Sequence, residues 1–422
     1  MTEKTSKIIV HILSVIFCLI PLMMITGPFL PDLFLLIIIL SVFYLMYLKK
    51  DFLLFNKKYF LYFILINLIL ILISLFSQNL TSIKSSTFYF RFGLFVMATF
   101  YLLYLNEKIL KYLLFVLLAI YLGLFFDSIY QFYNSENIIG FKYLDENNFR
   151  ITSFFGKDEI LGSYTARLFP LMIFLILINY NSKNVKRLNL LITVFTLISF
   201  CLVMLSGERT SMALLLLTII FLFLSSIKIR KILILPMIII VLIFTVSVSI
   251  SERLKNRLID STINQLGISA QSDRLHIFSK TYEGHYLISY KMFSEKPFFG
   301  HGPKMFRFYC SKKENYLAPN ACTTHPHNFY AQMLAETGFF GFSILLGLFL
   351  FVIKMFFRNI LQQIYHKNQL YTDEALCILS SIFMSLFPFL PSGNFFNNWL
   401  SLIIYYPLGF LIFIIYKKKL YE

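Results

Sequence analysis

Charge is what this sequence has least of. Only 14% of its 422 residues are Asp, Glu, Lys or Arg, against about 25% in an ordinary soluble domain. Apolar residues make up 58%, in runs near the ~20 residues needed to cross hydrocarbon. That balance excludes a water-soluble core. The runs also lack the apolar/polar alternation of a membrane β-barrel. Internal repeats, heptads and low-complexity tracts are missing too. No pair of Gly- or Pro-broken helices sits in matching halves, as a transporter would have it. After the N-terminal apolar run there is no small-residue cleavage site, so Lys4 and Lys7 are expected to precede a retained signal-anchor. The net charge of +17 therefore speaks first of orientation in a membrane, and nucleic acid is not expected as a partner.

What is present predicts an all-α polytopic membrane protein with about twelve transmembrane helices and one long periplasmic loop. The spans are expected at approximately 8–26, 30–48, 59–77, 88–105, 109–130, 161–180, 188–205, 210–227, 231–250, 336–356, 373–391 and 398–416. The domains read as 1–250 (nine spans), 251–335 (the loop carrying the chemistry) and 336–422 (three spans). Short loops holding Lys49, Lys50, Lys57, Lys58, Lys108, Lys111, Lys183, Lys186 and Lys228 alternate to one side, as do Lys354 and Lys417. Lys and Arg in short loops mark the cytoplasm. Both termini are thus expected in the cytoplasm, with 251–335 outside, in the periplasm if the cell is Gram-negative. That loop carries eleven basic and six acidic residues. An anionic ligand such as phosphate suits the excess; attraction to lipid headgroups is the competing reading.

Residues that could do chemistry gather in and beside that loop. In His325-Pro326-His327-Asn328 the proline pushes His325 towards extended backbone, and Asn328 is a plausible helix cap. His327 then sits at a helix start near the membrane surface, where a neutral imidazole can take a hydroxyl proton. The competing reading is a structural histidine bonded to a backbone carbonyl. Arg209, in the turn Ser206-Gly207-Glu208-Arg209, is placed to grip a phosphate bidentately at a helix start; the bland alternative is an interfacial anchor. Arg274 opens an amphipathic stretch that ends near Lys296-Pro297. Arg91 lies about one turn into a span, a costly place unless it reaches the interface or a polar cavity. The glycines of Phe299-Gly300-His301-Gly302-Pro303 allow close backbone approach but are a weak phosphate-loop signal. No third histidine or carboxylate lies at zinc-ligand spacing. Acidic ligands on the outer face are few, so no metal and no cofactor are expected. Cys310 and Cys322 both lie in the outward loop and are expected to form a disulfide; Cys18, Cys201 and Cys377 lie in spans and should stay reduced.

The Ser-Gly-Glu-Arg turn, Arg274-Leu275, Lys296-Pro297-Phe298-Phe299-Gly300-His301-Gly302-Pro303, His325-Pro326-His327-Asn328 and Glu336-Thr337-Gly338-Phe339-Phe340-Gly341 follow one another in an order that resembles the O-antigen ligase superfamily. Glu208 departs from the small residue expected before the turn arginine. The resemblance covers about 201–341; the N-terminal half matches in hydropathy alone. It implies a GT-C type fold, an undecaprenyl-diphosphate-linked glycan donor, a lipid A–core acceptor and metal-independent transfer with inversion. Carried over by motif, His327 is the catalytic base, with His325 and Asn328 supporting it. Arg209 and Arg274 grip the diphosphate, and the N-terminal cationic position falls on Lys84 or Arg91. O-antigen or exopolysaccharide polymerases and protein O-oligosaccharyltransferases share these motifs. A lipid-glycan transporter is the reading from another class, and it would need charges deep in the spans rather than at their outer ends.

Overall fold

Apolar runs bounded by polar caps become helices, because in hydrocarbon every backbone polar group has to be satisfied within its own segment. The computed structural model describes residues 3–52, 58–142, 150–180, 184–268, 278–315 and 321–421. The first half holds α1 (Glu3–Met23), α2 (Phe29–Lys49), α3 (Lys58–Phe76), α4 (Leu80–Thr87), α5 (Arg91–Leu105) and α6 (Ile109–Asn134). Next come α7 (Leu161–Tyr180), α8 (Val185–Leu205), α9 (Arg209–Ser225) and α10 (Ile227–Ile250). The polar segment contributes α11 (Glu252–Lys255), α12 (Ser261–Gln265), α13 (Lys280–Glu295) and α14 (Phe306–Cys310). Last are α15 (Phe329–His366), α16 (Asp373–Ser385), α17 (Asn398–Tyr405) and α18 (Leu408–Tyr421). Among the described residues there is no strand, only a lone bridge between Glu136 and Lys142. Side chains of Asn184, Ser226, Thr372 and Asn397 cap helix starts by accepting a backbone N–H.

Among the described residues nine helices are long and apolar enough to cross a membrane, and Phe60–Phe76 and Arg209–Ser225 are shorter apolar helices. Of the twelve expected runs, two depart clearly from these helices. The helix expected at 336–356 starts at Phe329 and runs to His366. It is bent at Gly338, whose φ of 64° interrupts the helical backbone. The run expected at 373–391 is helical only over Asp373–Ser385. Pro388 and Pro391 forbid continuation, and the chain beyond turns to support the site described below.

Helix α7 is the centre of the bundle: 89% of its apolar window is buried, against 22% for α10 and α15. A helix apolar all round belongs inside, and α6, α8, α9 and α16 pack around it. Its first turn therefore meets the polar segment from within the bundle. Reporter fusions test the orientation inferred from the lysines. Phosphatase should be active when fused at Lys313 and inactive at Lys183 and Lys417; the reverse pattern would turn the protein over.

Candidate active site

The site is built around the start of α7. Between α8 and α9, Gly207 takes a φ of 63° and swings Glu208 under that helix. The Glu208 carboxylate accepts from the Gly162 N–H (2.7 Å), the Ser163 N–H (3.1 Å) and the Ser211 hydroxyl (2.8 Å). It thus satisfies orphan donors at the positive end of α7. A Cβ on Gly162 would collide with the Ser206 hydroxyl. Burial pushes the Glu208 carboxyl up to about 7, against the Ser211 bond and the α7 amides. The acid next to the turn arginine is therefore a buried cap.

Arginines ring this turn on its outer side. Arg209 donates to the Thr262 hydroxyl at 3.1 Å and to Gln265 Oε1 at 2.7 Å. Arg257 Nε donates to the Gly207 carbonyl at 3.1 Å, and Arg150 pairs with Glu159. Burial, then the charges of Arg150 and Arg209, pull the Arg257 guanidinium down to about 10. Arg274 lies outside the described residues. Arg91 is elsewhere: it makes a two-pronged pair with Asp32 (2.9 and 3.2 Å) and donates to the Phe88 carbonyl at 2.5 Å. Lys84 lies on the neighbouring α4.

The histidine motif starts α15. Asn328 Oδ1 accepts from the N–H groups of Tyr330 (2.9 Å) and Ala331 (3.1 Å), while its Nδ2 donates to the Pro388 carbonyl at 2.7 Å. His327 sits in the left-handed region at φ 54°, a backbone costing about 1–3 kcal/mol and common at functional sites. The Ser392 N–H holds its carbonyl at 2.8 Å. The turn places the His327 ring 4.1 Å from that of His325 and 5.6 Å from Tyr282, both tilted, and stacks it 5.3 Å from His285. Burial pushes His325 down to about 3 and His327 to about 4, reinforced by the neighbouring imidazoles. Both are neutral at pH 7. Cys310 and Cys322 form a disulfide behind this motif, and the Thr323 hydroxyl holds the His325 carbonyl at 2.6 Å.

A backbone clasp fixes the loop before it. His301 and Gly302 donate to the carbonyls of Ala335 (3.1 Å) and Glu336 (2.8 Å), and Phe339 returns a bond to Pro297 at 2.7 Å. Gly300 and Gly338 have φ values of 66° and 64°; a Cβ on either would strike the opposite backbone. These glycines serve chain-on-chain packing. Glu336 completes the clasp by accepting from the N–H of Lys304 (2.9 Å) and Phe306 (3.1 Å) and from Gln332 Nε2 (2.9 Å). So held, Lys304 and Arg307 face Arg167 and His325 across a cavity of about 530 Å³, with Asn394 and Asn397 on its wall. Ligand pockets commonly span ~300–1,000 Å³.

Arg209 thus lies within electrostatic reach of Tyr282, whose ring lies beside His327, and His325 lines the cavity of the second cationic group. Sequence reasoning passed over Arg167, His285, Lys304 and Arg307 as site residues. Arg167 carried a signal: it is the lone charge inside an otherwise apolar run. Among the described residues no group of three or more His, Cys, Asp or Glu could hold a metal ion.

Against known proteins, residues 194–346 match a family model described as O-antigen ligase. No curated protein matches the chain. The matched stretch contains Arg209, Arg257, Lys304, Arg307 and both histidines of the motif; Arg167 and Arg91 lie before it. Over residues 194–346 this polytopic helical membrane protein is therefore similar to the O-antigen ligase family.

Proposed function

We propose that this protein is a glycosyltransferase that moves a glycan from undecaprenyl diphosphate to a hydroxyl of lipid A–core, on the periplasmic face of the inner membrane, in a GT-C type fold and without metal. The observation that carries the reading is the neutral His325–His327 pair beside a cavity lined by Arg167, Lys304 and Arg307. His327 takes the proton of the acceptor hydroxyl as its oxygen attacks the anomeric carbon. The bond to the diphosphate breaks on the opposite face, so configuration inverts, and the leaving group keeps the electron pair. Arg209 and Arg274 stabilise the charge that builds there. A ring held near 4 is a weak base in the empty site. The arriving diphosphate favours the imidazolium and raises it towards working pH.

Surface polysaccharide in a deletion strain tests the reading. Undecaprenyl-linked polymer accumulating unattached is expected. Core capped by single repeat units would make the protein a polymerase, and loss of glycan from protein alone would make it a protein oligosaccharyltransferase. The pH profile is a second test. Because kcat/KM reports ionisations of the free enzyme, its acid limb should fall near the value of about 4 held by His327. A limb centred at ~6.5, the ordinary histidine value, would show that the base is a solvated histidine elsewhere.

A further inference from the structure

A cavity of about 870 Å³ opens at the lysine-rich end of the bundle, and the chemistry above does not use it. We infer that it binds an anionic membrane lipid, whose phosphate sits among Lys7, Lys49, Lys108 and His11 while its acyl chains run along α1, α2 and α6. The inference is independent of the glycosyl-transfer reading. The cavity also lies away from the active site. Asp32, in the first turn of α2, pairs with Arg91 at the start of α5. Asn398 donates to the same carboxylate at 3.4 Å, and its neighbour Asn397 lines the cavity beside His325. The lysine-rich cavity gathers at the opposite ends of α2 and α5, at Leu48, Lys49 and Leu105. That end is expected to face the cytoplasm.

Local structure brings these cations together from three places. Lys7 and His11 are four residues apart, on one face of α1. Lys49 ends α2. Asn106 ends α5 and fixes the turn into α6: its Nδ2 donates to the Ser14 hydroxyl of α1 at 2.9 Å, and its Oδ1 accepts from the Lys108 N–H at 3.2 Å. That turn sets Lys108 on the cavity wall. Membrane orientation asks for lysines at this end, but not for their convergence on one hollow. No carboxylate is among the described residues lining it. Glu107, beside Lys108 in the chain, pairs with Lys417 at 2.7 Å, and Asp51 accepts from the Tyr101 hydroxyl at 3.2 Å. A hollow lined by several cations and no acid suits a phosphate.

The rest of the lining selects a lipid. Val10, Leu48, Leu105 and Tyr112 supply an apolar wall. Leu48 and Tyr112 are 37% and 42% exposed, and Ile8, Ile12, Tyr47 and Phe115, close by along the same helices, are exposed too. Charge at the helix ends above an open apolar flank is how basic pockets between spanning helices hold anionic headgroups. A soluble phosphate would leave that flank unused. An adjoining hollow lined by Lys4, Lys7, Ile8 and His11 extends the site along α1.

The test reads the Tm of the full-length protein, delipidated in neutral detergent. Phosphatidylglycerol added in mixed micelles should raise it by about 2–5 °C, as a ligand of the folded state does. Phosphatidylethanolamine, with the same chains and no net charge, should do little. Lys49→Gln combined with Lys108→Gln should remove most of the shift. Lys186→Gln combined with Lys354→Gln takes two charges from the same end outside the cavity and should keep it. Leu48→Trp crowds the cavity with every charge in place, so it leaves the insertion signal intact, and it too should remove the shift. Equal losses in the two double variants would reduce the effect to diffuse attraction and overturn the site. A shift of the same size from inorganic phosphate at matched ionic strength would make the ligand a soluble phosphate and overturn the lipid. No shift from phosphatidylglycerol, or a full shift in both Leu48→Trp and the Lys49/Lys108 variant, would also overturn it. Transfer is not measured, so the outcome stands apart from the fate of the glycosyl-transfer reading.

Discussion

His327→Ala is expected to lower single-turnover transfer by about 10²–10⁴-fold, the usual contribution of a positioned base, while donor Kd stays at the wild-type value. A sugar hydroxyl is a poor nucleophile and a lipid diphosphate is already a good leaving group, so help is needed on the acceptor side. His327 is held for that work. Its backbone is fixed at φ 54° and its carbonyl is anchored by Ser392. Its ring is packed among His325, His285 and Tyr282. His325→Ala should cost less, because His325 packs against and orients the His327 ring rather than taking the proton. Donor binding lost in proportion to transfer would make His327 a donor ligand. Near-normal transfer would remove it from the chemistry.

The helical membrane fold was legible because apolar runs of span length leave the backbone no alternative in hydrocarbon. Errors fell where single residues overrule hydropathy. Gly338 lets α15 bend and begin outside the expected span, and Pro388 and Pro391 stop α16 short. The cap at Asn328 was legible because a cap is local. The clasp was not: Gly300 and Gly338 are each other's reason, and nothing in either motif names its partner. Arg91 illustrates the same limit. Its charge drew attention at a span's outer end, but the group that claims it, Asp32, is 59 residues away. Glu208 looked like a departure beside Arg209 and proves to be the cap of α7. Arg167 could have been singled out by rarity alone, whereas Lys304 and Arg307 were two among eleven basic loop residues, and only the fold selects them.

Arg209→Ala should cost roughly 2–4 kcal/mol of transition-state stabilisation, about 30- to 1,000-fold in transfer, if its guanidinium meets the leaving diphosphate. The structure supplies a rival explanation, because the same side chain holds Thr262 and Gln265 of α12. Thr262→Val and Gln265→Ala separate the two. Each removes one of those contacts and keeps the guanidinium, so each should retain most activity. Losses equal to that of Arg209→Ala would reduce Arg209 to a strut. Arg209→Lys should rescue poorly, since one ammonium cannot reproduce a planar fork on a phosphate. Arg274 provides the remaining check. If both arginines grip one diphosphate, the double alanine variant should lose less than the product of the single losses, because groups sharing a ligand are coupled. Strict multiplicativity would place them on different groups, and chelator-sensitive activity in the wild type would hand the leaving-group charge to a metal instead.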